Sequence, residues 1–84
     1  MTQIAKLYVQ LLADPNTIIS FHDFEALLIA FGLELRPGKG SHRNYRHRQV
    51  PVILTVQPRG KDAVPYQVKR LLAVVREYDL HIPG

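Results

Sequence analysis

His42 stands in the run Lys39-Gly40-Ser41-His42-Arg43-Asn44-Tyr45-Arg46, which sets one imidazole among several cations. Histidine titrates near neutral pH and serves as proton donor or acceptor. Arginine presents a planar pair of donors that matches phosphate oxygens. These groups suit attack by an RNA 2′-hydroxyl on its own phosphodiester. That reaction needs the hydroxyl proton removed, the leaving 5′-oxygen protonated and the charge on phosphorus stabilised. It requires neither a metal nor another cofactor. Gly38 and Gly40 let the backbone come close to a phosphate. The competing reading is an ordinary surface histidine in a basic hairpin, and spacing alone leaves both open.

The other titratable and nucleophilic residues offer less. His22 falls in the first turn of a helix, at the surface. His47 is five residues from His42, so strand geometry sends it to the opposite face unless the strand twists or bulges. His81 belongs to the tail. No two histidines share the helical i, i+4 spacing of a metal site, and Ser41 has no Asp or Glu near it in sequence to complete a triad.

Strand alternation puts His42, Asn44 and Arg46 on one face and Tyr45 on the other. If Tyr45 faces the core, His42 faces out, and Arg36, Thr55 and Gln57 can share its face. The charge distribution agrees. The chain has a net charge of +4, yet Leu35 to Lys61 carries Arg36, Lys39, Arg43, Arg46, Arg48, Arg59 and Lys61 and no acid. A basic segment between mildly acidic flanks points to a polyanion. A charged edge strand that resists aggregation is the plainer explanation.

The elements that hold this segment follow from periodicity. Ile4, Leu7, Tyr8, Leu11 and Leu12 recur at helical spacing, ending near Asp14-Pro15. Ser20 can cap a second helix, with Asp23 in its first turn and Phe24, Leu27, Leu28 and Phe31 as the buried stripe. Gly32 is its expected stop. Leu33 to Pro37 alternates as a strand, residues 37–40 turn, Ser41 to Arg48 forms a second strand, Gln49 to Pro51 turns, and residues 52–57 form a third. Pro58 to Ala63 reads as a loop. Pro65 opens a last helix with Val68, Leu71, Leu72 and Val75 inward. The fold class is α+β in the order α-α-β-β-β-α, an antiparallel meander covered on one face by helices.

With 84 residues the chain holds one domain, and with no cysteine it has no thiolate chemistry or disulfides. No apolar run reaches the roughly 18 residues of a membrane span. No signal-peptide cleavage pattern follows Lys6 and Asp14, so a cytoplasmic location is the default expectation.

Phe24-Glu25-Ala26-Leu27-Leu28, Phe31-Gly32-Leu33-Glu34-Leu35-Arg36, Lys39 to His47 and Pro65-Tyr66-Gln67-Val68-Lys69 together resemble the HicA family of messenger-RNA interferase toxins. The resemblance covers roughly residues 20–79. Residues 1–19 would be an additional helix and loop, and 80–84 a tail. It implies a fold like the double-stranded-RNA-binding domain and a metal-independent ribonuclease acting on messenger RNA. It implies that His42, matching the family's Gly-Ser-His histidine, is catalytic. It also implies a HicB-type antitoxin partner. Phosphate or RNA contacts are then expected from Arg36, Lys39, Gly40, Ser41, Arg43, Asn44, Arg46 and Lys61. Two alternatives use the same residues: a non-catalytic module that binds RNA by shape and backbone contact, and a domain whose basic strand docks an acidic protein.

Overall fold

In the computed structural model, residues 3–36 and 42–83 are described. Helix α1 (Gln3–Ala13) ends just before Asp14 and Pro15. Helix α2 (Phe21–Ala30) is capped by Ser20, whose Oγ accepts the Asp23 N–H at 3.0 Å. Gly32, at φ +89°, then reverses the chain in a conformation that costs other residues about 1–2 kcal/mol. Strands β1 (Glu34–Arg36), β2 (Arg43–His47) and β3 (Val50–Val56) form an antiparallel meander in that order, and helix α3 (Pro65–Glu77) closes the fold behind Pro65. The architecture is the expected α+β arrangement, consistent with a double-stranded-RNA-binding-domain-like fold.

Between β3 and α3 the expected loop is instead a small hairpin, β4 (Pro58–Arg59) and β5 (Asp62–Ala63). Gly60 and Lys61 make its two-residue turn, and Gly60 supplies the positive φ of 62° that such a turn needs. The hairpin is tied down next to α2: the Phe21 N–H donates to the Lys61 carbonyl, and the Ala63 N–H to that of Ile19.

The core joins Leu11, Phe24, Leu27 and Leu28 to Tyr45 and Leu54 of the sheet and Val68 and Leu71 of α3. Periodicity predicted most of this set. Its errors lie at the edges. Leu12 is 56% exposed on the outer side of α1, and Leu35 is 46% exposed because β1 is an edge strand. On α3, Val74 is buried and Leu72 only partly so.

The turn after β2 is also tighter than expected. It occupies Arg48 and Gln49, and Pro51 lies inside β3. Tyr45 pairs with Leu54 but His47 with Val50, so β2 advances two residues while β3 advances four. Pro51 has no N–H to give to a ladder, and an irregular stretch is where a strand tolerates it.

Candidate active site

β2 is held between two neighbours in a fixed register. Leu35, Tyr45 and Leu54 align across the three strands, as do Arg36, Asn44 and Thr55, while Glu34 lies opposite Arg46. Directly paired residues point to the same side. Tyr45 is 1% exposed and faces the helices, so Arg36, Asn44, Arg46 and Thr55 face away from them. The Thr55 hydroxyl donates to Asn44 Oδ1 at 2.8 Å, which leaves the Asn44 NH₂ as a donor.

His42 immediately precedes β2, and its side chain is exposed. Carried one residue back, the alternation puts it on the open face with Asn44 and Arg46. No described residue hydrogen-bonds its imidazole.

Arg43 is differently employed. It shares the inner side with Tyr45, and its Nη1 donates to Glu25 Oε2 at 3.2 Å, with the guanidinium 6.0 Å from the centroid of the Phe21 ring. The Tyr45 hydroxyl donates to the same Glu25 oxygen at 2.7 Å. Burial, and then that hydrogen bond and the nearby carboxylate charge, hold the phenol well above its ordinary range, against a smaller opposing effect of Arg43. Glu25 therefore fastens the first half of β2 to α2, directly after His42. Alternation alone assigned Arg43 no partner, because Glu25 is eighteen residues away in sequence.

The remaining predicted residues divide clearly. Arg36 and Arg46 are exposed on the open face, and Arg36 makes a long contact of 3.8 Å with Glu34. Lys61 is exposed in the β4–β5 turn. Lys39, Gly40 and Ser41 lie outside the described residues. His22 is exposed, and His81 sits 3.2 Å from Asp79.

His47 is half-buried and lies past the irregular pairing between Tyr45 and His47, so simple alternation does not fix its side. Its Nδ1 accepts the Gln49 N–H at 3.0 Å. Sequence reasoning missed its surroundings: a cleft of about 510 Å³ lined by Gly32, Glu34, Arg36, Arg46, His47 and Arg48. The available signal was the proline at position 51, which marks an irregular strand beside His47.

α3 borders the other end of the sheet. Gln67 Oε1 accepts the N–H of Gln57, one residue beyond β3. No helix among the described residues is long and apolar enough to cross a membrane.

A search of curated proteins and a search of solved structures each returned no match. A family model does match, that of the HicA toxin of bacterial toxin–antitoxin systems, over residues 21–75. The match begins at the first residue of α2 and leaves α1 outside it. It spans the strand that follows His42, the Glu25 anchor and nearly all of α3. The chain belongs to the HicA toxin family.

Proposed function

We propose that this toxin is a metal-independent endoribonuclease that cleaves messenger RNA with His42 as its general acid–base. The observation that carries the reading is the exposed His42 imidazole at the head of an open sheet face bearing Arg36, Asn44 and Arg46. Membership of a toxin family supports it, because such a protein needs a damaging activity and a partner that restrains it. That partner is a HicB-type antitoxin.

The chemistry uses the substrate's own nucleophile. The neutral imidazole takes the proton of a 2′-hydroxyl as that oxygen attacks the adjacent phosphorus. The bond to the 5′-oxygen breaks, and the imidazolium returns the proton to that leaving oxygen. The products are a 2′,3′-cyclic phosphate and a free 5′-hydroxyl, with no net consumption of protons. Arg46 and Arg36 neutralise charge on the phosphoryl oxygens. The Asn44 NH₂ donates to a phosphate or ribose oxygen. Lys39, Gly40, Ser41 and Lys61 supply further backbone contacts to the RNA. Arg43 acts mainly through Glu25, keeping the strand in place.

Induced expression in growing cells tests this reading. The wild-type chain should arrest growth and deplete messenger RNA, and His42→Ala, accumulated to the same level, should do neither. Equal arrest by both proteins would remove His42 from the mechanism. Purified protein that binds RNA and never cuts it would favour a non-catalytic RNA-binding module.

A further inference from the structure

The cleft beside His47 holds two residues that the proposed reaction leaves unused, His47 and Arg48, and its construction is specific. Gly32 forms one side. A Cβ at that position would lie 3.2 Å from His47 Nε2 and 3.3 Å from its Cδ2, so the missing side chain is what lets the imidazole lie there. The ring's tautomer is set at its other nitrogen. Nδ1 accepts the Gln49 N–H, so Nε2 carries the hydrogen of the neutral ring and is a donor on the Gly32 side. Arg36, Arg46 and Arg48 line the same space. Among the described residues, the only carboxylate lining the cleft is that of Glu34, which leans toward Arg36. Three guanidinium groups and an N–H donor around one concavity make a receptor for an oxyanion.

We infer that the His47–Arg48 end of this cleft holds a second phosphate of the RNA strand, away from the one being cut. The inference rests on the RNA reading above and adds to it a subsite and two residues, His47 and Arg48. Continuity argues for RNA over an acidic protein. Arg36 and Arg46 line the cleft and also stand on the open face that begins at His42. His47 lies five positions beyond His42 along β2, about 16 Å at strand spacing. A strand laid along β2 therefore meets the imidazole at one end and the cleft at the other. A phosphate in the cleft fixes the direction and register of the RNA, so that the scissile bond stops beside His42. His47 and Arg48 are positioning residues in this scheme.

The test measures binding of 2′-O-methyl RNA, which lacks the nucleophile and cannot be cut. A dinucleotide, with one phosphate, cannot span the roughly 16 Å between the two sites and gains nothing from joining them, whereas a longer oligonucleotide occupies both at once. Arg48→Gln, a change in an exposed turn, should weaken the longer oligonucleotide about tenfold and leave the dinucleotide unchanged. It should also lower the slope of log affinity against log salt by about 0.7, the effect of one lost phosphate contact on a single strand. His47→Gln should weaken only the longer oligonucleotide, and Arg70→Gln on α3 should change neither. If Arg48→Gln and His47→Gln bind both RNAs like the wild type while His42-dependent cleavage persists, the cleft assignment fails alone. If the wild type has no RNA affinity, both readings fail together. Loss of antitoxin binding in Arg48→Gln with RNA binding intact would assign the cleft to protein recognition and overturn the inference.

Discussion

Tyr45→Phe deletes one oxygen at the point where the strand following His42 is fastened to α2. The lost bond is short, 2.7 Å, and its acceptor is a carboxylate. Hydrogen bonds to charged groups contribute about 1.5–3 kcal/mol net. The lower part of that range applies, because Glu25 keeps Arg43 at 3.2 Å and its side chain is 19% exposed. The expected loss is about 1.5–2 kcal/mol, or about 6–16 °C in melting temperature for a domain of this size. Glu25→Ala should cost more, about 2–3 kcal/mol. It orphans a buried phenol and also removes an ion pair whose arginine is 49% exposed, a contact contributing at most about 1 kcal/mol. The double variant should then show a Glu25–Tyr45 coupling of about 1–2 kcal/mol. Urea titration of the four proteins gives the cycle, provided the slopes agree. Tyr45→Phe within about 0.3 kcal/mol of wild type, with no coupling to Glu25, would refute the anchor.

The same phenol makes stability fall at alkaline pH. Its folded-state pKa is raised, so its contribution is complete below the unfolded value near 10 and is lost as pH rises above that. A loss of stability above pH ~10 that is smaller in Tyr45→Phe is the expected result of thermal melts across that range. Gly32→Ala should destabilise the fold by about 1–3 kcal/mol, since an L-residue is strained at φ +89° and its Cβ presses on the His47 ring; urea unfolding reads this directly. Arg46→Gln should weaken RNA binding at low salt and reduce the salt slope by about 0.7, whereas Arg76→Gln on α3 should do neither.

Much of the fold could be read from local signals. Ser20 and Asp23 announce a helix start, Gly32 a helix stop and Pro65 the last helix, because each acts on backbone groups within a few residues. The alternation around Tyr45 identified the inner and outer faces of β2 for the same reason. What stayed hidden depends on distant chain. Arg43 carries the same charge as Arg46, and only the position of Glu25 on α2 separates an anchored cation from an exposed one. Leu12 and Leu35 fit the apolar pattern, but a pattern does not say where neighbouring elements end. The β4–β5 hairpin has two residues in each strand, too few for a period to register. The His47 cleft needed Gly32, Glu34 and Arg36 brought beside Arg46 and Arg48, a juxtaposition made by the β1–β2 register.

On the proposed reading, a single exposed imidazole cuts RNA without a metal. Purified protein incubated with a defined RNA in excess EDTA should produce fragments ending in 2′,3′-cyclic phosphate and 5′-hydroxyl. His42→Ala, folded as judged by circular dichroism, should cut at least about 100-fold more slowly, the lower end of what a positioned acid–base group contributes. Cleavage by His42→Ala at the wild-type rate, or wild-type cleavage abolished by EDTA, would contradict it.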